Sequence, residues 1–363
     1  MKTSSHTTNS ALDALASTWI SYCIQPSKTA IFESDTPLFE EWGPGIFFFP
    51  AQNATNPLAE SIIISCGIHG DETAPIEVVA RLFARITTGI ISVQSPLLIA
   101  FGNPKAALEQ VRFIDRNLNR LFFEEEVSSS IQHYETQRAQ LLINSTKRFF
   151  QLTGASDLST IHLDLHSAIR ESHFRNFAII PSTNRSSSPL KHGQNLRFNK
   201  LLEQSNIEAV VYTDLPSRTF SAYTNKRYGA RSATLEMGKV SPFGKNDARE
   251  LSSLESTLVT LIDSPQRITE NNPRCESSLR LFDVIYELVK NDSSFSFPKA
   301  DLSNFDAIDV GKIIAQVDED ESLRLAKDIR ILFPNSAVEI GQRAGLLIRE
   351  REQQRKSDSA YDR

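Results

Sequence analysis

The chain has 363 residues, an apolar fraction of 40%, a charged fraction of 23% and a net charge of -5, the profile of a soluble globular protein with length for one large α/β domain and a smaller one. No apolar run is long enough to span a bilayer, the first ten residues lack the apolar core of a secretory signal, and no basic run is present to neutralise a nucleic-acid backbone. Cys23, Cys66 and Cys275 are odd in number and far apart, which argues against a disulfide framework or a cysteine zinc site and for a reducing cytoplasm.

Residues 11–24 carry Leu12, Leu15, Trp19 and Ile20 at helical spacing and read as an amphipathic helix, and 45–49 reads as a strand closed by Pro50. Ile62-Ile63-Ile64 with Ser65-Cys66 reads as a strand covered on both faces, because β-branched residues without polar alternation suit that setting. Gly67 and Gly70 then permit a sharp bend, and Pro75 can open a helix without losing a needed N–H, so His69 and Glu72 fall in a strand-to-helix turn. In open α/β sheets such turns line the functional edge. An imidazole and a carboxylate three residues apart can converge on zinc, leaving room for a third ligand and a water; taken alone, the pair reads first as a solvated turn. Residues 75–85 read as a helix, and 96–101 as a strand that Gly102-Asn103-Pro104 turns into a short helix. This alternation predicts a largely parallel sheet with helices on its faces.

Residues 112–122 read as a loop pinned by Phe113, Ile114, Leu118 and Leu121 that presents Arg112, Asn119 and Arg120, or as an ordinary polar connection. A long helix is expected over 131–152. In 161–170 the residues alternate, so His162, Asp164 and His166 share one strand face and Leu163 and Leu165 the other. Two histidines and an aspartate on a buried face need polar partners, and a metal is one such partner. His166 is the third-ligand candidate, Asp164 a residue that orients a ligand, and His162 a hydrogen-bonded structural histidine.

Strands are expected at 176–180 and 209–213, with a Ser/Asn/Arg-rich loop at 182–188, and 223–229 is a polar segment with two aromatics. Residues 232–238 alternate again and put Thr234 and Glu236 on one face, where Glu236 is a candidate general base or a surface glutamate on an edge strand. A helix follows at 247–262. Beyond Asn271-Asn272-Pro273, strand-like runs at 279–289, 308–317, 329–333 and 346–348 mark a small β-rich domain. The expected layout is an α/β domain over 1–270, a β-rich domain over 271–350 and a charged, disordered tail over 351–363. Arg112, Arg116, Arg120, Arg170, Arg175, Arg227 and Arg231 stand singly near these motifs, which suits carboxylate recognition on a small ligand or simply a charged surface.

Gly67-Ile68-His69-Gly70-Asp71-Glu72-Thr73, Asn119-Arg120, the run from Asp164 to Arg170 and Thr234-Leu235-Glu236-Met237-Gly238-Lys239 together resemble the succinylglutamate desuccinylase/aspartoacylase family. That resemblance implies a zinc carboxypeptidase-like fold: a mixed, largely parallel sheet flanked by helices, with a smaller C-terminal β-rich domain. It implies one zinc per chain on His69, Glu72 and His166, with Glu236 as catalytic base and Arg112 polarising the scissile carbonyl. Asn119 and Arg120 would bind substrate, with Arg170 and Arg227 as further carboxylate contacts. Ser167-Ala168-Ile169-Arg170 and Met237-Gly238-Lys239 look like the desuccinylase branch, which implies hydrolysis of N-succinylglutamate in arginine catabolism. An N-acyl amino acid deacylase of the aspartoacylase kind and a carboxylate-binding protein without turnover are the alternatives. A homo-oligomer is compatible with this reading. Asn117 departs from the family pattern, which has an aspartate two residues before the Asn-Arg pair.

Overall fold

The computed structural model describes residues 4–25, 38–52, 60–122, 133–154, 159–181, 189–268, 278–299, 301–309, 311 and 328–351. Its strands are β1 (Glu40–Gly43), β2 (Ile46–Phe49), β3 (Ser61–Cys66), β4 (Leu97–Phe101), β5 (Thr160–Ala168), β6 (Asn176–Pro181), β7 (Ala209–Thr213), β8 (Arg231–Lys239), β9 (Arg280–Val289), β10 (Ile329–Leu332) and β11 (Arg343–Glu350). They form one sheet in the order β1-β2-β4-β3-β5-β8-β6-β7-β9-β11-β10. The centre, β4-β3-β5-β8, is parallel, and both edges are antiparallel. The mixed α/β fold expected from the sequence is therefore the observed one.

Strand β3 explains the triple isoleucine. Ile62 and Ile64 point into one apolar core and Ile63 into another on the opposite face, each at most 1% exposed. The first face is covered by α1 (Ser4–Ile24), α2 (Thr73–Thr87), α5 (Pro189–Gln204) and α7 (Ala248–Asp263), whose Trp19, Val79, Phe83, Leu201 and Leu258 share that core. The second carries α4 (Tyr134–Thr153) and α6 (Phe220–Tyr228), which bring Leu142, Phe149, Phe220 and Tyr223. Burying a Phe or Leu of this kind contributes roughly 1.5–3 kcal/mol, so the two cores hold the sheet rigid from both faces.

The sequence reading did not foresee α5 or α6. The polar 223–229 segment is the end of α6, which Thr219 caps by accepting the Ala222 N–H and which Gly229 closes with φ 66°. Of the run expected at 308–317, Ile308 and Asp309 lie outside any strand, while 310 and 312–317 fall outside the described residues, as do the 182–188 loop and 352–363 of the tail. Strands β9, β11 and β10 follow one another in space and extend the main sheet, because β9 pairs in parallel with β7. On one face they enclose a core of their own around Leu288, Phe295, Ile331 and Leu347. On the other, Phe282, Phe305 and Ile348 pack with Phe177 of β6 and Val211 of β7.

The turn after β3 is fixed by close packing. A Cβ on Gly70 would stand 2.1 Å from the carbonyl carbon of Ala106 and 2.3 Å from the amide nitrogen of Ala107, both backbone atoms of α3 (Pro104–Glu109). Gly70→Ala must push α3 away from the turn, and we expect a loss of about 3 kcal/mol. A lowered denaturation midpoint at unchanged slope checks it; a midpoint within error of wild type refutes it.

Candidate active site

The strand edges place the polar groups. His69 and Glu72 lie in the turn between β3 and α2, and His166 stands near the end of β5, beside β3. Their ligand atoms all lie within 4.8 Å of one another, and all three residues are buried. Glu72 joins the rings: its Oε1 is 2.8 Å from His69 Nδ1, its Oε2 is 2.8 Å from His166 Nδ1, and it also accepts from Arg112 Nη1 at 2.9 Å and the Ser167 amide at 3.1 Å. Burial alone would raise the Glu72 carboxyl, but His69 and His166 outweigh it and hold the group well below the usual range.

The outer nitrogens are also engaged. His166 Nε2 lies 3.2 Å from Asp164 Oδ2, and His69 Nε2 lies 3.1 Å from Asn117 Oδ1. Each ring thus sits between two oxygen acceptors, whereas a neutral imidazole offers one N–H. Burial opposes charge on His166, yet the flanking Asp164 and Glu72 prevail and hold it protonated well above its ordinary value. For His69 burial dominates and pushes the ring down to about 4, so it is neutral and one of its two acceptor contacts lacks a proton. A cation among the two Nδ1 atoms and the carboxylate resolves that mismatch, and a donor set of two nitrogens and one oxygen suits a divalent metal with an open position.

Behind His166 the polar face continues under α6. Ser65 Oγ donates to Asp164 Oδ1 at 2.6 Å, so His162 Nε2 is the donor in its 2.8 Å contact with Ser65 Oγ. His162 Nδ1 lies 2.7 Å from Thr224 Oγ1, and Phe220 packs edge-on against the ring. His162 is thus a structural histidine, as its sequence context indicates, and Asp164 orients His166.

Glu236 is not on an edge strand. Strand β8 lies between β5 and β6, and Glu236 is the direct cross-strand neighbour of His166, 8% exposed. Burial pushes its carboxyl up to about 7. Asn119 Oδ1 accepts the Phe220 amide at 3.0 Å, tying the 112–122 loop to the start of α6, and Arg120 donates to the Asn119 carbonyl at 2.8 Å. Arg120 reaches solvent but is crowded by protein, which pushes it down to about 9, with the like charges of Arg343 and Arg112 adding to the effect and Glu287 opposing it. Arg343 and Glu287 come from β11 and β9, a contribution of the C-terminal strands absent from the sequence reading. Arg170 is half-buried just beyond β5, and Arg227 is exposed in a groove of about 430 Å³ between α4 and α6, alongside Lys147. The groove walls include none of the three triad residues.

The chain matches the succinylglutamate desuccinylase/aspartoacylase catalytic domain over residues 59–262. The chain belongs to this family. Residues 277–351 match the family's barrel-sandwich hybrid domain. Curated relatives include the succinylglutamate desuccinylases of Photorhabdus laumondii, 36% identical over 79% of this chain and 86% of the relative, and of Pseudomonas putida, 38% identical over 79% and 82%. Among solved structures, the succinylglutamate desuccinylase of Chromobacterium violaceum superposes with a TM-score of 0.75 at 33% identity, covering 93% of this chain and 98% of that one. The Vibrio parahaemolyticus enzyme gives 0.73 at 30% identity, covering 92% and 94%. Family membership makes the chain a hydrolase, and no described helix is long and apolar enough to cross a membrane.

Proposed function

We propose that the chain is a zinc-dependent amidohydrolase that cleaves N-succinylglutamate to succinate and glutamate. The observation that carries this reading is the position of Glu236, a buried carboxylate directly across the strand register from His166 and on the face where His69, Glu72 and His166 converge. The names of the desuccinylase relatives, matched over more than four-fifths of their length, support the substrate.

His69, Glu72 and His166 would hold the zinc, which when bound supplies a Lewis acid that lowers the pKa of water and polarises a carbonyl. The Glu236 carboxylate takes a proton from the attacking water as its oxygen adds to the succinyl carbonyl carbon. When the C–N bond breaks, Glu236 returns that proton to the departing nitrogen of glutamate. Arg112, with Nη1 2.9 Å from Glu72, is close enough to the triad to stabilise charge developing on the carbonyl oxygen. Asn119 and Arg120 bind substrate carboxylate, with Arg170 as an outer contact; Arg227, expected from the sequence to be a further one, lies instead in the separate groove between α4 and α6. The same reading includes a role in arginine breakdown by the succinyl route in the cytoplasm, with residues 1–270 as the hydrolase domain and 271–350 as the β-rich one.

The test is release of glutamate from N-succinylglutamate by the purified protein before and after chelation and with zinc added back. Turnover lost on chelation and restored by zinc supports the reading. Turnover unaffected by complete metal removal overturns it, and activity only on other N-acyl amino acids replaces the substrate. Because Arg343 adds charge near Arg120, we expect Arg343→Ala to raise KM for N-succinylglutamate about tenfold while kcat changes little, the loss of one charge-assisted contact. An unchanged KM removes Arg343 from the substrate pocket.

A further inference from the structure

We infer that Asn117 is a positioning residue for the metal centre: its side-chain oxygen fixes the His69 ring so that Nδ1 faces the metal. The inference rests on the metal reading of the triad. Two contacts converge on one atom. The backbone N–H of Asn119 donates to Asn117 Oδ1 at 3.0 Å, and a backbone amide can only donate, so the oxygen of the Asn117 side chain is the atom that faces inward. That same oxygen lies 3.1 Å from His69 Nε2. An oxygen acceptor there requires Nε2 to carry the hydrogen, which leaves the Nδ1 lone pair directed at the position beside Glu72 Oε1, 2.8 Å away.

The arrangement has a counterpart in the same site. His166 Nε2 is held by Asp164 Oδ2, with Nδ1 toward the other oxygen of Glu72. Both rings therefore present the same nitrogen to the shared carboxylate, one braced by a carboxylate and the other by an amide. Asn117 lies 48 positions from His69 in sequence, and the 112–122 loop is held in place at several points. Glu135 accepts the backbone amides of Ile114, Asp115 and Arg116, and Asn119 Oδ1 accepts the Phe220 amide. With the loop pinned on both sides, Asn117 is a rigid brace for an otherwise rotatable ring, and braces of this kind are typically worth 10–100-fold in metal affinity.

The test measures zinc affinity by competition with a chromophoric chelator, independently of substrate turnover. Asn117→Leu keeps the size and removes the acceptor; we expect its zinc affinity to fall 10–100-fold. Asn117→Asp restores an oxygen in the same place for both His69 and the Asn119 amide, and we expect affinity within about threefold of wild type or tighter. Denaturation midpoints of the metal-free variants separate this from general unfolding. Wild-type affinity in Asn117→Leu overturns the inference while leaving the metal site intact. Equal loss in the Leu and Asp variants also overturns it. A wild-type protein that binds no zinc overturns the metal reading itself, and this inference with it.

Discussion

Glu236→Gln lowers kcat for N-succinylglutamate by a factor of about 10²–10⁴, the usual contribution of a positioned general base, while zinc content stays that of the wild type. Glutamine preserves the volume and removes only the proton acceptor. The pH dependence has a definite sign. Burial puts the folded value near 7, above the ordinary 4.5, and a dication beside the group favours its carboxylate form. The ascending limb of kcat/KM therefore lies at or below about 7 and is missing in Glu236→Gln. Stability changes in the opposite sense. For an acid with a raised folded value, the stabilising contribution is complete below the unfolded value and is lost as pH rises toward the folded one. The metal-free Glu236→Gln variant should match wild type near pH 4.5 and melt higher at pH 8. Thermal scans of both proteins at the two pH values decide this, and an intact ascending limb in the variant would remove Glu236 as the base.

Glu72→Ala should abolish turnover by a different route. Glu72 joins both ring Nδ1 atoms, Arg112 and the Ser167 amide, so under the proposed ligand set its loss would remove one ligand and misdirect the other two. We expect zinc content to fall from about one equivalent to near none. The metal-free fold should also lose about 3 kcal/mol, because the buried His166 cation keeps only one of its two anionic partners. Metal analysis together with denaturant titration separates this variant from Glu236→Gln, and a Glu72→Ala protein that retains stoichiometric zinc would contradict the ligand set.

Much of this site was legible in the chain because it is built from local patterns. The isoleucine run of β3, the bend at Gly67 and Gly70, and the strict alternation around His162, Asp164 and His166 each encode their own conformation. Ser65, a polar residue ending that apolar run, was a visible trace of the bond to Asp164. What stayed hidden is non-local. Whether Glu236 lay at an edge or in the centre depended on β8 pairing with both β5 and β6, a matter of topology. Helix α6 carries Ser and Thr on the side facing the sheet, where Ser221 meets Thr234 and Thr224 meets His162, so it lacks the apolar stripe that announces a helix. The approach of Arg343 to Arg120 joins residues more than 200 positions apart, and no spacing rule reaches that far.

The unbroken sheet also governs how the molecule comes apart. Because β9 hydrogen-bonds along β7, the C-terminal strands cannot leave without stripping one side of β7 of its ladder and opening the core around Phe177 and Phe282 to water. The catalytic half and its β-rich extension therefore share one cooperative unfolding unit, and a protease cut between residues 268 and 278 would leave two fragments that remain associated until the whole assembly melts.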